Sequence, residues 1–173
     1  MATAALLAVG LVTTAVVRSG EKPPPPKKGF CWLTLGGQIR NGDEETVYSY
    51  GGVVYPGCSA TAAGGGNLNV DAHQDGLHFK GLEIINDGCS GGPTDSPRVT
   101  LNIIDFHGTG TVADDDGNKI DVTFVGRATD INEPGHDIDE LALEVADLAG
   151  NVLIKFDEIV DTGNVQIHQS SCP

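Results

Sequence analysis

Beyond residue 20 this chain contains no useful length in which apolar residues recur at the 3.6-residue period of an amphipathic helix. Valine, threonine and isoleucine instead recur in short runs cut by glycine or Asx residues, the pattern of half-buried strands joined by tight turns. The runs fall at 30–35, 47–55, 67–73, 77–85, 98–106, 109–113, 119–125, 141–146, 152–159 and 164–168. Roughly ten short strands without a helix predict an all-β protein, an antiparallel β-sandwich of jelly-roll or immunoglobulin-like type. The stretches AAGGGN (62–67) and DGCSGGPTDSP (87–97) read as loops.

Alternation assigns faces within these strands. Ile120, Val122 and Phe124 share one face, as do Leu141, Leu143 and Val145, and Val152, Ile154 and Phe156. A four-residue loop from Leu148 to Asn151 pairs Val145 with Ile154 and Leu143 with Phe156, which places the last two sets on one face. ADDDGNK (113–119) is a second Asp-Gly turn, whose register the pattern leaves open.

The chain divides into three parts. Its opening MATAALLAVGLVTTAVV runs 17 residues without charge, nearer the apolar region of a signal peptide or a short anchor than a full span of about 20 residues. No positive start and no clean small-x-small site accompany it, so a longer signal peptide or a retained anchor are both open. Residues 1–20 are assigned to this segment. EKPPPPKK (21–28) follows, a charged polyproline II spacer that cannot join a sheet. Residues 29–173 then form the β-domain.

Charge excludes one class of partner. From Gly29 onward, six Lys and Arg stand against 23 Asp and Glu. A nucleic-acid binder needs cations to displace phosphate counterions, and anionic lipid repels the same surface. Membrane contact is therefore expected only through the N-terminal segment. The four cysteines, Cys31, Cys58, Cys89 and Cys172, form no CxxC pair, which removes the zinc-ribbon and redox motifs. An even, widely spaced set suits two disulfides in an oxidising compartment. Three pairings are possible. The favoured one joins Cys31 to Cys172 and Cys58 to Cys89, with one bridge and two buried thiols as the alternative.

In NVDAHQDGLHFKG (69–81), Asp75-Gly76 lies between two alternating runs, a strong hairpin signal. A two-residue turn sets His73 opposite His78, Ala72 opposite Phe79 and Asp71 opposite Lys80. His73, His78, Asp71 and Lys80 then share a polar face, with Val70, Ala72, Leu77 and Phe79 on the other. Two opposed imidazoles can chelate one Zn²⁺ or Cu²⁺ ion, with Asp71 as third ligand or orienting group. The competing expectation is a polar hairpin carrying an Asp71–Lys80 pair. A second ion candidate is TDINEPGHDIDE (129–140), where Asp130, Asn132, Glu133, Asp137 and Asp139 supply the hard oxygens that Ca²⁺ prefers, though not at EF-hand spacing.

No nucleophile elbow, HExxH or phosphate loop is present, and GCSGGP (88–93) reads as a glycine loop around a disulfide. The chain is therefore expected not to be an enzyme, with a hydrolase as the last-ranked alternative and no cofactor beyond Ca or Zn. Sugar binding asks for exposed aromatic platforms, and Trp32, Tyr48, Tyr50 and Tyr55 are the candidates. Trp32, beside Cys31, is expected to pack against a disulfide.

GTGTV (108–112), VTFVGRATDINEPGHDIDELALEV (122–145), DLAGNVL (147–153), GNVQIH (163–168) and GGGNLNVDAHQDGLHFKG (64–81) occur in an order that resembles the post-COAP family of secreted bacterial domains. The resemblance covers most of 36–168. It implies an exported β-sandwich whose biochemical role is not established, and it supplies no catalytic residue. Four cysteines and the more acidic INEPGHDIDE depart from that pattern. The resulting expectation is a secreted, periplasmic or surface-tethered domain with a structural or interaction role, its partner an extracellular protein or glycan. Metal-binding or carbohydrate-binding modules are the alternatives.

Overall fold

The computed structural model describes residues 31–40, 45–56, 65–92, 101–132 and 135–169. The N-terminal segment, the proline spacer, Cys58, Cys172 and Glu133 lie outside the described residues. Nine antiparallel strands form: β1 (Cys31–Arg40), β2 (Thr46–Val54), β3 (Gly66–Ala72), β4 (Leu77–Ser90), β5 (Ile103–Asp114), β6 (Lys119–Thr129), β7 (Glu140–Asp147), β8 (Val152–Ile159) and β9 (Thr162–Gln169). They belong to one hydrogen-bonded sheet ordered β8-β7-β6-β5-β4-β3-β2-β1-β9, curled into a half-barrel. The first eight strands are thus a meander, and β9 returns to pair with β1.

Alternation decides what the curl encloses. Leu33 and Leu35 of β1, Leu68 and Val70 of β3, Phe79 of β4, Ile104 and Phe106 of β5, Val122 and Phe124 of β6, and Leu141, Leu143 and Val145 of β7 all turn inward and are buried. Tyr48 of β2 packs against Phe156 of β8, ring centroids 4.6 Å apart, so strands far apart in the sheet meet across the interior. Phe124 sits between Phe79 (5.1 Å, edge-on) and Phe106 (6.4 Å).

The phenylalanine cluster explains a misleading stretch of sequence. The strands expected at 98–106 and 109–113 are one strand, because Gly108 and Gly110 do not turn the chain. Both occupy inward positions. A Cβ at Gly108 would strike the Glu83 carbonyl and the Phe124 ring, and one at Gly110 the Lys80 carbonyl and the Phe79 ring. Gly126 likewise leaves room for Phe106. Glycine here marks close packing. Similarly, Asp87–Ser90, expected in a loop, end β4. That strand carries two irregularities, between Gly81 and Glu83 and between Asn86 and Gly88.

The disulfide corrects the expected pairing: Cys31 is bonded to Cys89, with Cα atoms 6.2 Å apart, so it can bridge neither to Cys172 nor leave Cys89 for Cys58. β1 and β4 are not sheet neighbours, so the bond spans the curl. Closing a 58-residue separation is worth about 4 kcal/mol on chain-entropy grounds.

Two hairpins share the turn sequence Asp-x-x-Gly-Asn. Asp114–Asn118 joins β5 to β6, and Asp147–Asn151 joins β7 to β8. In each, the Asp carboxylate accepts the backbone N–H and the side-chain amide of the Asn, and the Gly N–H donates to the Asp carbonyl. Gly117 and Gly150 take φ of 84° and 88°. The second turn sets Val145 opposite Ile154 and Leu143 opposite Phe156, as expected. Exposed Val152 pairs with Ala146 beyond a bulge.

These glycines separate two kinds of cost. No atom lies within 4 Å of a Cβ placed on Gly150, so Gly150→Ala is expected to lose only the left-handed backbone preference, about 1–2 kcal/mol, and Gly150→Asn less. Gly126→Ala, forced onto the Phe106 ring, is expected to cost about 1–3 kcal/mol through overpacking. Urea denaturation of the three variants measures both.

Candidate functional site

The polar surface of β2, β3 and β4 carries the densest group of chemistry-bearing side chains among the described residues. Ser49, Asp71 and His78 stand in register on three neighbouring strands, each pointing away from the core. Asp71 Oδ1 lies 2.7 Å from His78 Nδ1, and Asp115, from the β5–β6 turn, places Oδ1 3.2 Å from His78 Nε2. The Ser49 hydroxyl donates to Asp71 Oδ2 over a long 3.4 Å and lies 2.9 Å from His73 Nε2.

This geometry corrects the expected hairpin register. The turn uses four residues, His73 to Gly76, with the Asp75 N–H donating to the Ala72 carbonyl and Gly76 at φ 60°. Ala72 therefore faces Leu77 and Asp71 faces His78. Lengthening a loop from two residues to four keeps every side chain on its face, so the polar and apolar sets hold while the partners change. His73 does not face His78, and Lys80 faces Asn69 instead of Asp71.

The chemistry follows from proton positions. To donate to two carboxylates, His78 must carry a proton on each ring nitrogen. The hydrogen bond to Asp71, then that to Asp115, raises its pKa above the ordinary imidazole value. An imidazolium offers no lone pair to a metal ion. The single hydroxyl proton of Ser49, directed at Asp71, leaves its oxygen to accept from His73, the reverse of the polarity that activates a serine nucleophile. Among the described residues, no three or more His, Cys, Asp or Glu side chains are placed to share one metal ion.

The expected calcium loop is dispersed in space. Asp139 and Asp130, 0% and 5% exposed, are turned into the protein. Asp139 accepts the N–H groups of Ile131 (3.0 Å) and Val165 (3.1 Å), and Asp130 accepts that of Ile167 (2.9 Å). Asp137, at φ 64°, pairs with His136 on the surface, and Asn132 is exposed. These carboxylates bind β9 to the loop.

The aromatic candidates also divide. Tyr48 and Tyr50 face inward. Burial, then Asp139 and Asp161, drives the Tyr50 pKa far above the ordinary phenol value. Its hydroxyl is buried without a hydrogen-bond partner among the described residues. Trp32 alternates away from Cys31, so it does not cover the disulfide. It stacks on His168 of β9 on the outer surface, centroids 4.0 Å apart and 18° from parallel, while His168 Nε2 lies 3.1 Å from the Thr34 hydroxyl. Tyr55 is half exposed. His107 is held by Asp87 at 2.7 Å. Sequence reasoning missed Ser49, Asp115 and His168 because their partners, though on adjacent strands, lie 24 to 134 residues away in the chain; only the repeated Asp-x-x-Gly-Asn turn, which positions Asp115, was visible locally.

Fold and site together define an all-β protein built on one curled antiparallel sheet with a polar, hydrogen-bonded outer face. No family model matches the chain, and no curated protein and no solved structure is significantly similar to it.

The His78 arrangement is testable by NMR. Its ring is expected to titrate above an ordinary histidine, and Asp71→Asn to lower that value. Since the folded pKa is raised, the contribution to stability is full below the unfolded value and lost as pH rises through the folded one. A His78 titration indifferent to Asp71→Asn would contradict the pairing.

Proposed function

We propose that this chain is an exported or surface-tethered, non-catalytic β-domain with a structural or interaction role. The observation that carries the reading is the buried Cys31–Cys89 bond, a type of cross-link that persists in oxidising compartments. The uncharged N-terminal stretch, the proline spacer and the ordered resemblance to post-COAP domains support the same reading. In this reading the curled sheet works as a sandwich, with β9-β1-β2-β3 and β4–β8 as two layers across one core. The side chains of the polar face hydrogen-bond to one another, as expected of a surface that presents shape and charge to a partner.

A second reading, recognition of a glycan, is favoured by one observation. Trp32 and His168 lie stacked on the outer surface next to Thr34, which stands in register with Gln166 of the neighbouring β9. Aromatic rings beside hydroxyl and amide groups suit sugar faces and hydroxyls.

Non-reducing peptide mapping of the natively exported protein tests the first reading, with a Cys31–Cys89 linked peptide as the expected result. Four reactive thiols in the denatured protein would contradict it. On a glycan array, Trp32→Ala should abolish any binding that the second reading requires.

A further inference from the structure

The two edges of the sheet are finished differently. On β9, the Val165 and Ile167 N–H groups are taken by Asp139 and Asp130. On β8, the strand hydrogen-bonds only to β7 among the described residues. An unpaired edge is a template for another strand, and β8 carries a sequence that specifies one.

Leu153 lies in the bulge and packs against the core; the outward side chains that follow it are Lys155, Asp157 and Ile159, with Ile159 about half exposed. Read in reverse, Lys155 and Asp157 still flank Phe156 on the outward face, with the two charges exchanged in sign. When such a strand meets its own copy antiparallel about Phe156, Lys155 faces the copy's Asp157 and Asp157 faces its Lys155. Both ion pairs form at once, which is the self-complementarity that a two-fold interface demands. Shifting the register by two residues at either strand breaks both charge pairs. The Lys155–Glu144 pair at 2.7 Å is intramolecular and solvent-exposed, so it holds Lys155 on the correct face without withdrawing it from a second carboxylate.

We propose that β8 is a self-association edge, at which two copies of this chain join their sheets through antiparallel β8–β8 pairing centred on Phe156. The inference is independent of where the protein acts. A single strand pair buries an area at the low end of specific interfaces, under about 1,200 Å², so the dimer is weak and concentration-dependent.

Sedimentation velocity of the full chain over a concentration series is expected to show a reversible monomer–dimer equilibrium. Lys155→Asp and Asp157→Lys each place like charges opposite one another and should weaken dimerisation about tenfold or more. Mixed together, the two single variants should recover it, because every 155–157 contact between unlike chains is again attractive. Near-UV circular dichroism confirms that the variants remain folded. Three results would overturn the proposal: a monomer at all concentrations; a dimer indifferent to both substitutions; or a monomer that dimerises only after residues 1–29 are removed, which would assign the edge to the chain's own N-terminal segment.

Discussion

The curled sheet of nine strands seen among the described residues has two edges, and one of them, β9, is tied to the connection between β6 and β7 by backbone amides donating to buried carboxylates. β8 ends at Ile159 and β9 begins at Thr162, so the chain crosses from one edge of the sheet to the other within about 11 Å of extended backbone. That crossing is possible only because the sheet is curled enough to bring the end of β8 beside the start of β9. Asp139 stands at the meeting point. Its carbonyl accepts the Val160 N–H of the crossing, and its carboxylate accepts Ile131 and Val165. Asp130 does the same for Ile167, while its own N–H donates to the carbonyl of buried Asn102. Gly135 is required there, since a Cβ would collide with the Asp139 carboxylate. The Cys31–Cys89 bond and the Tyr48–Phe156 contact hold the roll at other points.

This use of aspartate recurs wherever a backbone ladder runs out. At the two Asp-x-x-Gly-Asn turns, the hydrogen bonds from Asn118 and Asn151 hold the Asp114 and Asp147 carboxyls below the ordinary carboxylate range. Groups of that kind contribute stability that is present above their unfolded pKa and lost as pH falls through the folded one. His78, raised by Asp71 and Asp115, works in the opposite sense. The acidity of the chain is therefore partly architectural: a set of acceptors distributed over turns and edges, in addition to a solvated surface.

The sequence was legible where its signals were local. Strand positions, inward faces and the β7–β8 register follow from alternation and turn length, because Asp147 to Asn151 fixes the loop within five residues. Three features were not legible. Two-residue and four-residue loops leave the same faces inward, so alternation could not tell His73 opposite His78 from Asp71 opposite His78. Gly108 and Gly110 resembled a break because the rings they accommodate, Phe79 and Phe124, come from other strands. The roles of Asp130 and Asp139 were hidden for a related reason: their partners lie 37 and 26 residues away, and a carboxylate destined for a buried amide is indistinguishable by composition from one that awaits an ion.

The most direct test of this fastening is Asp139→Ala, followed by urea denaturation together with amide hydrogen exchange at Ile131 and Val165. Removing the carboxylate strands two backbone donors, so a loss of about 2–5 kcal/mol is expected, with protection at Val165 collapsing relative to the natural protein. Stability within about 0.5 kcal/mol of the natural protein, with Val165 still protected, would contradict the claim that this side chain fastens β9 to the connection between β6 and β7.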